Sequence, residues 1–254
     1  MRRKSNAESR DRDEYIKGPL IRVYMDESGN GNESQPLIVG AVVADLEASE
    51  IEARIQDLYR DLSVSRSWAG LPSFEEFRAT GFHASSDPWE VSGPFLALIQ
   101  EGGGFKAYML MTDRTNVPTL SENERIAMMY EVLLGDLLIR YHRSSEIVCY
   151  IEQNDGLRGL AQTLPAAAKR RALARLDREA PLPKTTVSMV RKTEVMSMAI
   201  VDYIMHAVSG WIRSAYQQEP KDRKYRAFRE VEPLVSLLYS LERGRLVSRS
   251  MPLH

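Results

Sequence analysis

Cysteine is almost absent from this chain. The one thiol, Cys149, lies in the apolar run Val148–Ile151, so no internal disulfide can form. A single cysteine also argues against a cysteine-based zinc site, and it suits a reducing, cytoplasmic setting. Long apolar runs are missing too. None approaches the ~20 residues that span a bilayer, so no membrane partner is expected. Arg2, Arg3 and Lys4 are not followed by an apolar stretch, which is not the pattern of a secretory leader. There is no internal repeat and no low-complexity tract.

An excess of one charge is lacking as well. The 34 basic and 35 acidic residues leave a formal net charge of −1. A dedicated electrostatic nucleic-acid binder is usually basic overall. Two local clusters stand against that average. One holds Lys169, Arg170, Arg171, Arg175, Arg178 and Lys184; the other holds Lys221, Arg223, Lys224, Arg226 and Arg229. Each is more often a solvated helix face than a phosphate track. The chain contains no phosphate-binding Gly-x-x-x-x-Gly-Lys-Ser/Thr loop, no His-Glu-x-x-His and no Gly-x-Ser-x-Gly. Gly102-Gly103-Gly104 precedes a strand-like run and opens no helix. Ser28 has no histidine near it in sequence, so a serine hydrolase is a weak option.

What is present is an ordinary globular composition. Of 254 residues, 43% are hydrophobic and 27% charged, enough for one large domain or one domain with appendages. Strand-like runs rich in Val, Ile, Tyr or Met occur at Ile21–Met25, Leu37–Ala44, Phe105–Thr112, Glu146–Ile151 and Thr185–Val190. Helical spacing marks Ser49–Leu62, Glu122–Tyr141, Leu157–Leu176, Thr193–Tyr216 and Tyr225–Leu241. Ser121 with Glu124 forms a capping-box pattern before the second of these. Thr193–Tyr216 is apolar on most faces, as a buried helix is.

The first strands are close enough to pair antiparallel. The later ones alternate with helices and are expected to run parallel. The result is an α/β fold with a mixed five-stranded sheet, three antiparallel strands then two parallel ones, and helices on both faces. That order is similar to the ribonuclease H-like fold, with an irregular insert over about 63–104 after the second strand. Residues 1–19 are expected to be a disordered polar arm, 20–217 the domain and 218–254 a helical extension whose apolar side offers a homodimer contact.

Acids at strand tips are costly if buried, and are then paired, hydrogen-bonded or bound to metal. Asp26 and Glu27 end the first strand, and alternation sends their side chains to opposite faces. Glu152 ends the fourth strand, with Asp155 as a rival acid or simply a turn former before Gly156. Asp202 lies in the apolar helix between Met198, Ala199, Met205 and His206. It either pairs with His206 at i,i+4 or meets the other acids. In a sheet of this order the first and fourth strands are neighbours, and a helix across the sheet can bring Asp202 to their tips. Such carboxylates suit Mg²⁺ or Mn²⁺, and two metals can stabilise an in-line phosphoryl displacement. His83 lies in the insert, either as an acid–base group, a phosphate or metal contact, or as a packed loop histidine. His142 ends a helix and fits a favourable charge there. Lys192, and less strongly Arg191, offer a positive charge to a phosphate, and Lys169 and Arg170 are further nucleic-acid candidates.

Val23-Tyr24-Met25-Asp26-Glu27-Ser28-Gly29 resembles the Tyr-x-Asp-Glu-Ser-Gly signature of the prokaryotic domain-of-unknown-function family 3800. Phe82-His83-Ala84 is similar to its middle histidine motif, with Gly81 where an acid often stands. Ala199-Ile200-Val201-Asp202-Tyr203 is similar to its closing motif, with Val201 in place of the usual Ala. Ile151-Glu152 falls where that family carries a strand-end acid. The likeness spans roughly Ile21 to Trp211. It implies a ribonuclease H-like, metal-dependent nuclease with Asp26, Glu152 and Asp202 as its catalytic metal-site acids; beside them Glu27 is expected as a supporting metal ligand and His83 as an acid–base assistant. It also implies DNA or RNA as partner and a setting in phage defence or a mobile element. The competing expectations are a non-catalytic partner protein of a defence complex with a degenerate site, or a hydrolase of small phosphoesters.

Overall fold

The computed structural model describes residues 18–44, 48–68, 70–102, 104–115, 118–176, 181–216 and 218–248. The expected polar arm falls almost wholly on residues 1–17, and Arg178 of the first basic cluster on 177–180, outside the described residues.

Seven strands form one mixed sheet in the order β5-β4-β1-β2-β3-β6-β7. They are β1 (Leu20–Ser28), β2 (Leu37–Ala44), β3 (Phe105–Thr112), β4 (Glu146–Glu152), β5 (Lys184–Val190), β6 (Val235–Ser240) and β7 (Gly244–Ser248). The pairs β1–β2 and β2–β3 are antiparallel, while β4 runs parallel to β1 and β5 to β4. The five expected strands therefore stand in the expected directions. The strand count does not hold, because β6 adds parallel to β3 and β7 antiparallel to β6.

The C-terminal segment is the reason. It is not the helical extension expected over 218–254. Helix α7 (Arg223–Val231) covers only its first part. Pro233 then sits in a short 3-10 turn, residues 232–234, where it lacks an N–H and disfavours helix at the residue before it. Val235, Leu237 and Leu238 enter the sheet fully buried. Their apolar spacing mimics a helix, but both faces of a central strand are covered, so the run need not alternate. The insert also differs from expectation. It is mostly helical, with α2 (Pro72–Thr80) and α3 (Trp89–Gly102) following α1 (Ala48–Ser63).

Each face of the sheet carries its own core. On one, α1, α2, α3, α6 (Met198–Arg213) and α7 pack on Tyr24, Ile38, Val42 and Met109. On the other, α4 (Glu122–Arg140) and α5 (Leu160–Arg175) pack on Val23, Met25, Val39 and Leu110. The residues of β1 alternate between the two, as a pleated strand requires. The capping box at α4 is present: Glu124 N–H donates to Ser121 Oγ, and Ser121 N–H donates to Glu124 Oε2. Cys149 is fully buried in the second core, and burial pushes its thiol up to about 12, so it is an inert packing residue. Among the described residues no helix is long and apolar enough to cross a membrane.

Candidate active site

Strands β1 and β4 lie side by side, in register through Met25 and Ile151. Asp26 and Glu152 are the next residues on each, at the carboxyl ends. Alternation turns both toward the α6 face, beyond Tyr24 and Tyr150, whose rings stack there at 5.8 Å. Helix α6 crosses that face and brings Asp202. Two features set its position. Glu52 of α1 accepts the Met196 and Ser197 N–H groups, each at 2.9 Å, and the Ser197 hydroxyl at 2.6 Å. Gly40, paired with Asp26 across β1 and β2, leaves room for Met205 and Val201 of α6. A Cβ there would stand 2.5 Å from the Met205 sulfur.

The three acids meet around one nitrogen. Lys192, in the loop before α6, places Nζ 2.9 Å from Glu152 Oε2, 3.1 Å from Asp202 Oδ2 and 3.8 Å from Asp26 Oδ2. Lys192 and Asp26 are 8% and 5% exposed, so these charges act through little water. Burial, then the neighbouring Glu152 carboxylate, push the Asp26 carboxyl well above the usual range, and Lys192 opposes them. Burial alone would lower Lys192. The carboxylates of Asp26, Asp202 and Glu152 outweigh it and hold the ammonium above its ordinary value.

His83 completes one side. Its Nδ1 is 3.5 Å from Lys192 Nζ and 3.8 Å from Asp202 Oδ2. The Ala84 N–H donates to Asp202 Oδ2 at 3.1 Å. The His83 N–H donates to Asp87 Oδ2 at 2.7 Å, and the Tyr203 hydroxyl donates to the same oxygen. Burial raises the Asp87 carboxyl and, with Asp87 beside it, the Tyr203 phenol. Asp87 Oδ1 is buried without a hydrogen-bond partner among the described residues.

Other expected residues lie elsewhere. Glu27 points to the opposite face, where Tyr130 O–H and Asn154 Nδ2 each donate to it at 2.6 Å. It braces the β1 and β4 tips and is not among the groups that contact Lys192, whereas Asp26, Glu152 and Asp202 are. Asp202 makes no hydrogen bond or ion pair with His206 among the described residues; His206 is exposed. Asp155 pairs with Arg158 at the surface. Arg191 is exposed and paired with Glu194. Lys169 and Arg170 are exposed on α5, which packs on the other face of the sheet. His142 Nδ1 lies 2.9 Å from the Ile139 carbonyl at the end of α4. Sequence reasoning does not reach Asp87 and Tyr203. The signal for them is an acid four residues after His83 and a tyrosine next to Asp202.

Beside Asp87 and Tyr203 opens a cleft of about 690 Å³ between α3, α6 and α7. Among the described residues no group of three or more His, Cys, Asp or Glu is already arranged to hold a metal ion. Lys192 stands between the acids that converge.

No family model matches the chain, and no curated protein matches it. Two solved structures bear a distant likeness to it. One is that of the PCNA:RNase HII complex from Archaeoglobus fulgidus, at 12% identity and a TM-score of 0.44, covering 91% of this chain and 98% of that one. The other is ribonuclease H2 from Pyrococcus horikoshii OT3, at 13% and 0.39, covering 84% and 88%. Likeness at that level decides nothing about the site, which rests on the geometry above.

Proposed function

We propose that this chain is a Mg²⁺- or Mn²⁺-dependent phosphodiester hydrolase that cuts DNA or RNA on a ribonuclease H-like sheet. One observation carries the reading: carboxylates from β1, β4 and α6 all lie within 3.8 Å of a single cationic nitrogen. The donor set fits the metal. It is all oxygen, as hard divalent cations require. Its charge already holds a stand-in cation, the Lys192 ammonium, while burial first and the Glu152 carboxylate second keep the Asp26 carboxyl raised. The resemblance to family 3800, with its defence or mobile-element setting, points to these same acids.

Bound there, Mg²⁺ or Mn²⁺ supplies an activated water and charge neutralisation at the phosphorus. The residues do the rest. Asp26, Glu152 and Asp202 would hold the cation. Lys192, displaced from the centre on its flexible stem, pairs with a phosphate oxygen. His83 delivers a proton to the leaving oxygen. Glu27, through Tyr130 and Asn154, keeps the two strand tips together. The purified 254-residue chain is expected to cut labelled DNA or RNA with Mn²⁺, and Asp26→Asn or EDTA to abolish the cleavage. Cleavage that survives both overturns the assignment.

A second reading has its own observation. An ammonium already fills the centre, as it would in a non-catalytic partner of a defence complex with a degenerate site. Calorimetry separates the two: no heat of binding at millimolar Mg²⁺ or Mn²⁺ favours the partner.

A further inference from the structure

We infer that the cleft beside the carboxylate centre is a track for unpaired nucleic acid, so that the strand cut at Asp26, Glu152 and Asp202 is single-stranded. The inference rests on reading that centre as a phosphodiester-cleaving site, and it is argued from the other side chains around it.

The cleft begins where the centre ends. Asp87 and Tyr203 line it, and Tyr203 follows Asp202 directly on α6. It continues along α6 past His206 and Gly210 to Arg213. The eleven helical steps from Asp202 to Arg213 cover about 16 Å, the length of about five stacked nucleotides at about 3.4 Å each. At the far end four cations gather from two elements: Arg213 of α6, and Arg223, Lys224 and Arg226 of α7. All four are exposed, and none has an ion-pair partner among the described residues. Two carboxylates, Asp87 and Glu230, share the lining. The cationic cluster is thus concentrated at the distance where a strand leaving the centre needs phosphate contacts, despite the chain's overall charge of −1.

The aromatic wall decides between single strand and duplex. Trp89, at the start of α3, is 60% exposed, unlike Trp211, which is 7% exposed and packed in the core. The Trp89 ring lies against Gly93, where a Cβ would sit 3.4 Å from it, so one ring face is backed by the helix. A backed indole beside a phosphate track is a stacking platform for a base. Bases in an intact duplex have no free face to offer it, whereas unpaired bases do.

The test reads binding without chemistry. Fluorescence anisotropy in EDTA uses short labelled single strands of DNA and RNA, and the matching duplexes, against wild type, Trp89→Ala and the double variant Arg223→Ala/Arg226→Ala. Circular dichroism checks that both variants keep the fold. Single strands are expected to bind more tightly than duplex. Trp89→Ala is expected to weaken them about fivefold or more. The double variant is expected to make the negative slope of log affinity on log salt shallower by about 1.4, at about 0.7 for each phosphate that is no longer neutralised. Equal affinity for duplex, or an unchanged affinity in Trp89→Ala, overturns the inference, as does equal competition by a poly-glutamate chain. Trp89-dependent single-strand binding without any Mn²⁺ cleavage sinks the hydrolase reading and leaves the track standing. Cleavage with duplex preference does the reverse.

Discussion

Replacing Lys192 with methionine keeps an unbranched side chain, one atom shorter, and removes the ammonium that the three acids contact. The ammonium lies 2.9 Å from Glu152 and 3.1 Å from Asp202. At an effective dielectric of about 20, each contact is a gross attraction of about 5–6 kcal/mol. Desolvating the ammonium offsets several kcal/mol of that. Removing one partner of a buried charge cluster leaves the rest unpaired, at a cost of about 3–5 kcal/mol. Asp26, whose carboxyl is already raised, takes up a proton and relieves part of the repulsion, so the lower end of that range applies. For a chain of this size about 3 kcal/mol lowers Tm by about 6–12 °C. The metal-free Lys192→Met protein is therefore expected to melt that much below wild type in EDTA. Mn²⁺ at about 100 times its Kd returns about 2.7 kcal/mol. At the same Mn²⁺ concentration this return exceeds that of wild type, where the ion must first displace the ammonium. Thermal melts of both proteins with and without Mn²⁺ check this. A Lys192→Met protein that melts with wild type refutes the electrostatic account. One that gains no more from Mn²⁺ than wild type refutes the cation site.

Asp26→Asn is expected to stabilise the metal-free protein near neutral pH while abolishing cleavage. The folded chain holds the Asp26 proton more tightly than the unfolded chain, whose carboxyl titrates at about 3.9. That stability is fully present below the unfolded value and is lost as pH rises through the raised folded one. Lys192 keeps its charge across this window, so melts in EDTA should show the variant gaining about 1–2 kcal/mol, or about 2–8 °C, at neutral pH and little at low pH; a variant less stable at every pH contradicts this. Gly40→Ala is expected to cost about 1–3 kcal/mol by overpacking against Met205 and Val201. Because α6 carries Asp202, Mn²⁺-dependent cleavage should fall further than the melt predicts; cleavage at the wild-type rate would show that α6 is not held by that contact.

The centre is legible in the sequence where one local rule suffices. Asp26 and Glu152 end β-prone runs, so period-two alternation and strand order are enough to bring them together. The same alternation sends Glu27 to the other face, yet cannot reveal that Tyr130 and Asn154 wait there, because those contacts join residues 103 and 127 positions apart. The C-terminal strands are not legible, because a fully covered strand has no alternation to show, and Val235–Ser240 carries apolar residues at spacings a helix also uses. Lys192 is the most instructive case. Its residue type points to a phosphate, and its sequence position, a loop before α6, points to the surface. Only the packed fold shows that the loop folds inward, since Glu52 draws the Met196 and Ser197 amides onto α1. Two negative strand tips and one negative helix then create a field that one flexible cation answers most readily. The sequence contains every charge in that cluster; what it does not contain is which of them the helix brings within 4 Å, and that depends on a glycine in β2 and a glutamate in α1 that carry no chemistry of their own.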